Sequence, residues 1–273
     1  MTKTIYYQSY KIQCQIEGQG ETLVFLHGWP THSGLWADQV AAFKQDYRVI
    51  TFDWLGFGQS DKPLDHTYSF THKKEILDTV LNALVATDEK INLIAHDVGG
   101  PAAMLWAAEN PHRVERLILL NTLFYPFSTT LDKASHLGFH LPLLKNALMS
   151  HIGLRFVMNT MIRNRSSAMQ QKIVDILAAY QSVPAELKLK TILDPLKEGR
   201  RNELLDLIDT YQKLAVKRYL IMAKSDPLCY AHIRKASREN PAIPSYVIER
   251  CGHFISLERP EALNKVLRGI LRA

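Results

Sequence analysis

Residues 90–100 read Lys-Ile-Asn-Leu-Ile-Ala-His-Asp-Val-Gly-Gly (KINLIAHDVGG). An apolar run with the composition of a buried strand breaks at Ala95, and a helical stretch follows from Gly99. Asp97 stands at the centre of the break, between the small residues Ala95 and Gly99. A sharp strand-to-helix turn of this kind leaves its central side chain exposed above a sheet, as a nucleophile requires. A carboxylate there can displace a leaving group from a saturated carbon and form an alkyl ester; attack on an acyl group would give a reactive anhydride. An aspartate ahead of a helix is, taken alone, most often an N-cap. Asp97 therefore needs partners elsewhere in the chain.

Outward from this turn, strand and helix signals alternate. Ile5–Tyr10 and Lys11–Glu17 are expected as short strands, Thr22–Leu26 as a buried strand ending in His27-Gly28-Trp29-Pro30, and Tyr47–Phe52 as another ending in Asp53. Helical patterning covers about Thr71–Ala86 and about Gly99–Glu109, which stops near Asn110-Pro111. Val114–Asn121 is the next strand. This alternation predicts an α/β fold with a mostly parallel sheet covered on both faces. From about Tyr125 to Gln212 the chain reads as helical, rich in Leu, Met and His and divided by Pro126, Pro142, Pro184 and Pro195. Strands resume at Lys217–Ala223 and Ser245–Glu249, and a last helix covers about Pro260–Leu271. The expected division is a core of residues 1–124 and 213–273 with a helical cap, or lid, of residues 125–212 inserted into it.

Each chemically suggestive residue lies just past the carboxyl end of an expected strand, where open α/β sheets place their ligands. Asp97 follows KINLIA, Asp226 follows KRYLIMA, and His253 follows SYVIE. In the roles this chemistry assigns, Asp97 attacks carbon and His253 takes a proton from the water that hydrolyses the ester. Asp226 orients the imidazole and stabilises its charged form. The backbone N–H groups of Trp29 and Val98 are candidates for the oxyanion hole. His96 reads as a packing residue, Asp53 as a stabiliser of its loop, and His27 as the group that fixes the HGWP turn.

Composition narrows the remaining classes. The 273 residues are 47% hydrophobic and 22% charged with a net charge of +6, and the cations form no stripe of the kind that binds nucleic acid. Cys14, Cys229 and Cys251 match no zinc spacing and cannot all pair within the chain, which favours a reducing compartment. The first 20 residues lack an apolar signal core, and no apolar run reaches the roughly 18 residues of a membrane span. The expectation is a cytoplasmic protein with no cofactor, no metal, no membrane and no nucleic-acid partner, acting on a small apolar substrate with water.

The chain resembles α/β hydrolases of the epoxide hydrolase and haloalkane dehalogenase group over about residues 20–125 and 215–270. HGWP (27–30), DWLGFGQSDKP (53–63), HDVGG (96–100), SDP (225–227) and GHF (252–254) carry the resemblance, in that order. It implies Asp97 as nucleophile, His253 as base and Asp226 as acid. Asn121 stands where some dehalogenase relatives carry the acid instead. Two departures separate the chain from a typical dehalogenase: Val98 replaces the tryptophan that donates to halide, and Trp29 replaces an asparagine. Epoxide opening is therefore the leading expectation, with carbon–halogen hydrolysis as the alternative and non-catalytic ligand binding as the reading from another class. Epoxide chemistry calls for a donor from the cap. Tyr180 is the foremost candidate, ahead of Tyr125, Tyr211, His136, His140 and His151.

Overall fold

The computed structural model describes residues 1–124, 142–198 and 207–273. Eight strands form one sheet: β1 (Thr2–Tyr7), β2 (Tyr10–Glu17), β3 (Thr22–Leu26), β4 (Arg48–Phe52), β5 (Ile91–Asp97), β6 (Val114–Thr122), β7 (Lys217–Ala223) and β8 (Ser245–Ile248). Their spatial order is β1-β2-β4-β3-β5-β6-β7-β8. The two first strands pair antiparallel with each other and β2 with β4, while every pairing from β4 to β8 is parallel.

Burial follows strand position. All of β3 and β5 is buried, as expected of central parallel strands covered on both faces. In β2 only Ile12, Cys14 and Ile16 turn inward, on the two-residue period of a half-exposed strand. The chain leaves β3 toward β4 on one side and returns to β5 on the other, so a crevice opens at the carboxyl ends of β3 and β5.

The helices before the β6–β7 connection are α1 (Ala37–Phe43), α2 (Phe70–Leu84) and α3 (Gly99–Glu109). Ser69 caps α2 by accepting the His72 N–H, and the helix buries Ile76, Leu77, Val80, Leu81 and Leu84. Between β6 and β7 lie α4 (Pro142–Met149), α5 (His151–Met161), α6 (Ser167–Ala178), α7 (Ala185–Glu198) and α8 (Leu207–Lys213). The chain closes with α9 (Tyr230–Glu239), the one-turn α10 (Ile255–Glu258) and α11 (Pro260–Leu271).

The sequence-based expectations differ from this in a few elements. The first hairpin turns at residues 8–9, two residues earlier than its apolar pattern implied. Helices α1 and α9 were not anticipated; α9 buries only Ile233 and Ala236, too few apolar positions to mark a helix. Pro195 does not divide the insertion but sits inside α7. It lies near the carboxyl end of that helix, where its missing N–H costs one hydrogen bond and few further turns depend on it. Tyr125, Pro126, His136 and His140 lie outside the described residues.

Candidate active site

Asp97 has a φ of +52°, the left-handed region that disfavours a side chain other than glycine. Its surroundings hold it there. The Thr122 hydroxyl donates to the Asp97 carbonyl at 2.6 Å, and the Trp29 N–H donates to Asp97 Oδ1 at 2.8 Å. Two glycines make room for the turn. A Cβ on Gly28 would collide with the Asp97 side chain, and one on Gly100 would collide with Thr122. The β5–β6 register slips at this point, pairing His96 with Leu120 but Asp97 with Thr122, so Asn121 is left out of the ladder with a φ of +36°.

The three strand-end residues named from the sequence lie together. His253 Nδ1 is 2.9 Å from Asp226 Oδ2, and His253 Nε2 is 3.7 Å from Asp97 Oδ2. All three are buried, at 7% exposure for Asp97, 5% for Asp226 and 1% for His253. The second oxygen of Asp226 accepts the N–H groups of Leu228 at 2.8 Å and Cys229 at 3.1 Å. Asp226 is thereby held with its remaining oxygen aimed at the imidazole.

Electrostatics separates the groups. Burial pushes the Asp97 carboxyl above its ordinary pKa, against the opposing pull of His253 and of the Val98 and Trp29 N–H groups. Burial disfavours the His253 imidazolium, but Asp226, Asp97 and Glu258 outweigh it and raise the pKa above the usual value. Asp226 is lowered: burial works against its charge, and His253 with the hydrogen bonds it receives wins.

The neighbouring histidines are neutral. Burial drives His96 down to about 3, and its Nε2 donates to the His253 carbonyl at 3.0 Å. Burial likewise drives His27 down to about 3; its Nδ1 lies 3.0 Å from the Gly28 carbonyl and its Nε2 accepts the Trp54 N–H at 3.1 Å, which fixes the HGWP turn. Asp53 ties its own loop together, accepting the Ser33 and Gln59 N–H groups at 2.7 Å each.

The candidate cap donors fare differently. Tyr180 is buried with its ring against Phe57, and its hydroxyl donates to the Thr31 carbonyl at 3.2 Å. Burial pushes the phenol pKa well above its ordinary value. The Tyr211 ring packs against Phe124 at 5.2 Å, and its buried hydroxyl has no hydrogen-bond partner among the described residues. His151 opens α5, and its Nδ1 also lacks a partner among the described residues. The indole Nε1 of Trp29, next to the elbow, is likewise buried without a partner among the described residues.

Two further residues support the histidine loop. Asn121 accepts the Ala223 N–H at 2.9 Å and donates to the His253 carbonyl at 2.9 Å, joining the end of β7 to the histidine loop. Glu258 accepts the Gly252 N–H at 2.8 Å through one oxygen and the Arg163 and Asn164 N–H groups at 2.7 and 3.0 Å through the other. Nothing in local sequence marks Glu258, because two of its partners are more than 90 residues away. Asp226, Cys229 and His253 bring potential metal-ligand atoms within 4.8 Å of one another. Asp226 and His253 are already bonded to each other, and burial keeps the Cys229 thiol protonated, so this set is better suited to a proton relay than to a cation.

Comparison with known proteins places this geometry among relatives. A family model described as alpha/beta hydrolase fold matches residues 21–153. Cis-3-alkyl-4-alkyloxetan-2-one decarboxylase of Shewanella oneidensis is 31% identical over 253 residues, covering 88% of this chain and 78% of that protein. Soluble epoxide hydrolase of a Corynebacterium species is 26% identical over 267 residues, 92% of this chain and 90% of the other. An esterase from Exiguobacterium antarcticum superposes over 100% of both chains with a TM-score of 0.83 at 20% identity, a likeness of fold alone.

Proposed function

Because the chain belongs to the α/β-hydrolase fold family, we propose that it is a hydrolase working through a covalent ester on Asp97, with a small apolar epoxide as its electrophile. The observation that carries this reading is the different surroundings of the two Asp97 oxygens. Oδ1 accepts the Trp29 N–H, and the Val98 N–H also holds the carboxylate, whereas Oδ2 faces His253.

In the first step Oδ2 attacks a ring carbon of the epoxide. The carbon–oxygen bond breaks, and its electron pair goes to the ring oxygen, which takes up a proton from solvent. In the second step neutral His253 removes a proton from water, and the hydroxide attacks the carbonyl carbon of the ester; the bond from that carbon to Oδ2 then breaks, and the departing diol oxygen takes the proton from His253. Negative charge then develops on Oδ1, which already accepts the Trp29 donor. Loss of one such donor typically costs about 10²–10³ in rate. The charge coupling favours this order. Anionic Asp97 helps keep His253 protonated, and forming the ester removes that charge, so the imidazole releases its proton when a base is needed.

The helices between β6 and β7 serve as the cap in this reading. Their contacts with the site support it: Met161 with His253, Arg163 and Asn164 with Glu258, and Tyr180 with Thr31.

A second reading has its own support. Attack of the same carboxylate on the alkyl carbon of an oxetan-2-one would break its ring carbon–oxygen bond and free a carboxylate, a leaving group that requires no proton; loss of carbon dioxide from that carboxylate would then expel Asp97 and leave an alkene. The engaged hydroxyl of Tyr180 and the 31% identity to an oxetanone decarboxylase favour it. Carbon–halogen hydrolysis ranks below both, since Val98 brings no side-chain donor for a halide.

The test is His253→Gln incubated with epoxide, oxetan-2-one and haloalkane panels, followed by intact-protein mass spectrometry. An epoxide or an oxetan-2-one adds its whole mass to Asp97, and a haloalkane adds only its alkyl group. Carbon dioxide release by the wild type on the lactone would select the second reading. Absence of any adduct on folded protein would overturn the covalent mechanism.

A further inference from the structure

Residues 133–174 contain no Asp or Glu, yet they carry Lys133, Lys145, Arg155, Arg163, Arg165 and Lys172. Those six cations equal the net charge of +6 of the whole chain, so the rest of the protein is balanced. The described part of this run also exposes apolar side chains. Leu143 on α4 is 88% exposed, and on α5 Ile152 and Phe156 are 81% and 65% exposed.

The pattern on α5 is two-faced. Leu154 and Met158 point into the core. Ile152, Arg155, Phe156 and Asn159 fall at i, i+3, i+4 and i+7 on the opposite side. With Arg165 and Gln170 they line an open cleft of about 440 Å³. Arg155, Arg163 and Arg165 are exposed. Lys172 of this run meets Asp38, whereas Arg155 bonds the Gln170 side-chain oxygen and Arg165 the Asn159 carbonyl, both neutral acceptors, and among the described residues none of the three arginines meets a carboxylate.

We propose that the α4–α5 face is a docking surface for an anionic lipid bilayer. The exposed Leu, Ile and Phe side chains would enter the headgroup–acyl boundary, while the surrounding arginines meet lipid phosphates. Charge selects this occupant over a second copy of the chain, which would bring the same uncompensated cations against themselves. Lying on a bilayer needs no spanning helix, and none of the described helices is long and apolar enough to cross one. The absence of an apolar run in the sequence therefore speaks to spanning, and not to surface contact. Such docking would set the cap against the phase in which an apolar substrate concentrates.

The experiment is co-sedimentation of the full chain with vesicles of phosphatidylcholine alone and of phosphatidylcholine containing phosphatidylglycerol, at low and high salt. The wild type should bind the anionic vesicles at low salt and be released in part by salt. Replacing Arg155, Arg163 and Arg165 with Gln should weaken partitioning about fivefold per cation lost. Ile152→Ser with Phe156→Ser should remove the salt-resistant part, and circular dichroism checks that each variant is folded. Equal binding to both vesicles, no binding, or variants that partition like the wild type would overturn the proposal. Dimerisation in the ultracentrifuge that is lost in the Ile152/Phe156 variant, without vesicle binding, would also overturn it by assigning the face to a second copy. The readout requires no catalysis, so its failure is separable from failure of the proposed reaction.

Discussion

The backbone N–H of His253 donates to the carbonyl of Met161 at 2.7 Å. The loop that carries the imidazole is therefore held by the last turn of α5, a helix from the segment between β6 and β7. Glu258 adds to the same junction by bonding Gly252 on one side and Arg163 and Asn164 on the other.

Glu258→Gln tests that junction. An amide keeps one acceptor oxygen and turns an NH₂ toward backbone donors, leaving at least one buried N–H unsatisfied at about 1–3 kcal/mol. The expected outcome is that loss in denaturant unfolding together with a lower kcat, since His253 would drift from Asp97. A variant as stable and as active as the wild type would refute the positioning role.

Asp97→Asn should abolish adduct formation and reduce turnover by about 10⁴-fold or more. The same substitution should raise thermal stability near neutral pH. Burial holds the Asp97 pKa above its ordinary value, so the charged form is disfavoured in the fold. A calorimetric midpoint below that of the wild type would contradict this.

The pH dependence follows from His253. Its folded pKa is raised, so the protonated form stabilises the fold. That contribution is complete below the ordinary imidazole value of about 6.5 and is lost as pH rises through the folded value. Catalysis has the opposite requirement, because ester hydrolysis needs the neutral ring. Stopped-flow measurement of ester breakdown should show an apparent pKa below that of His253 in the resting enzyme, since the Asp97 charge is then absent. An equal or higher value would sink the coupling.

Asp226→Asn should lower the resting pKa of His253 by removing the foremost group that raises it. Turnover should fall by about 10⁴, as when an orienting carboxylate is lost from a catalytic triad. Titration of the imidazole by NMR reads the first effect and steady-state kinetics the second. An unchanged His253 pKa would place its electrostatic support elsewhere.

Tyr180→Phe separates a structural hydroxyl from a catalytic one. Loss of the bond to Thr31 should cost about 1 kcal/mol of stability, with kcat changed by less than about tenfold. General acid catalysis contributes about 10²–10⁴, so a fall of that size on an epoxide would restore Tyr180 as the proton donor.

Local sequence determined the strand endings, the elbow at Asp97 and the candidates Asp226 and His253, because buried parallel strands are continuous apolar runs and chemistry in such folds gathers where those runs stop. What it could not encode was which strands are neighbours. The insertion of β4 between β2 and β3 is decided by packing between segments that carry no local mark of each other. The same holds for the finer features of the site. The separate surroundings of the two Asp97 oxygens, the engagement of the Tyr180 hydroxyl by Thr31 and the bridge from Asn121 to His253 span 68, 149 and 132 residues of chain. Hydrogen bonds across such distances exist only after the chain has closed on itself. Tertiary structure alone therefore decided which oxygen of Asp97 faces His253.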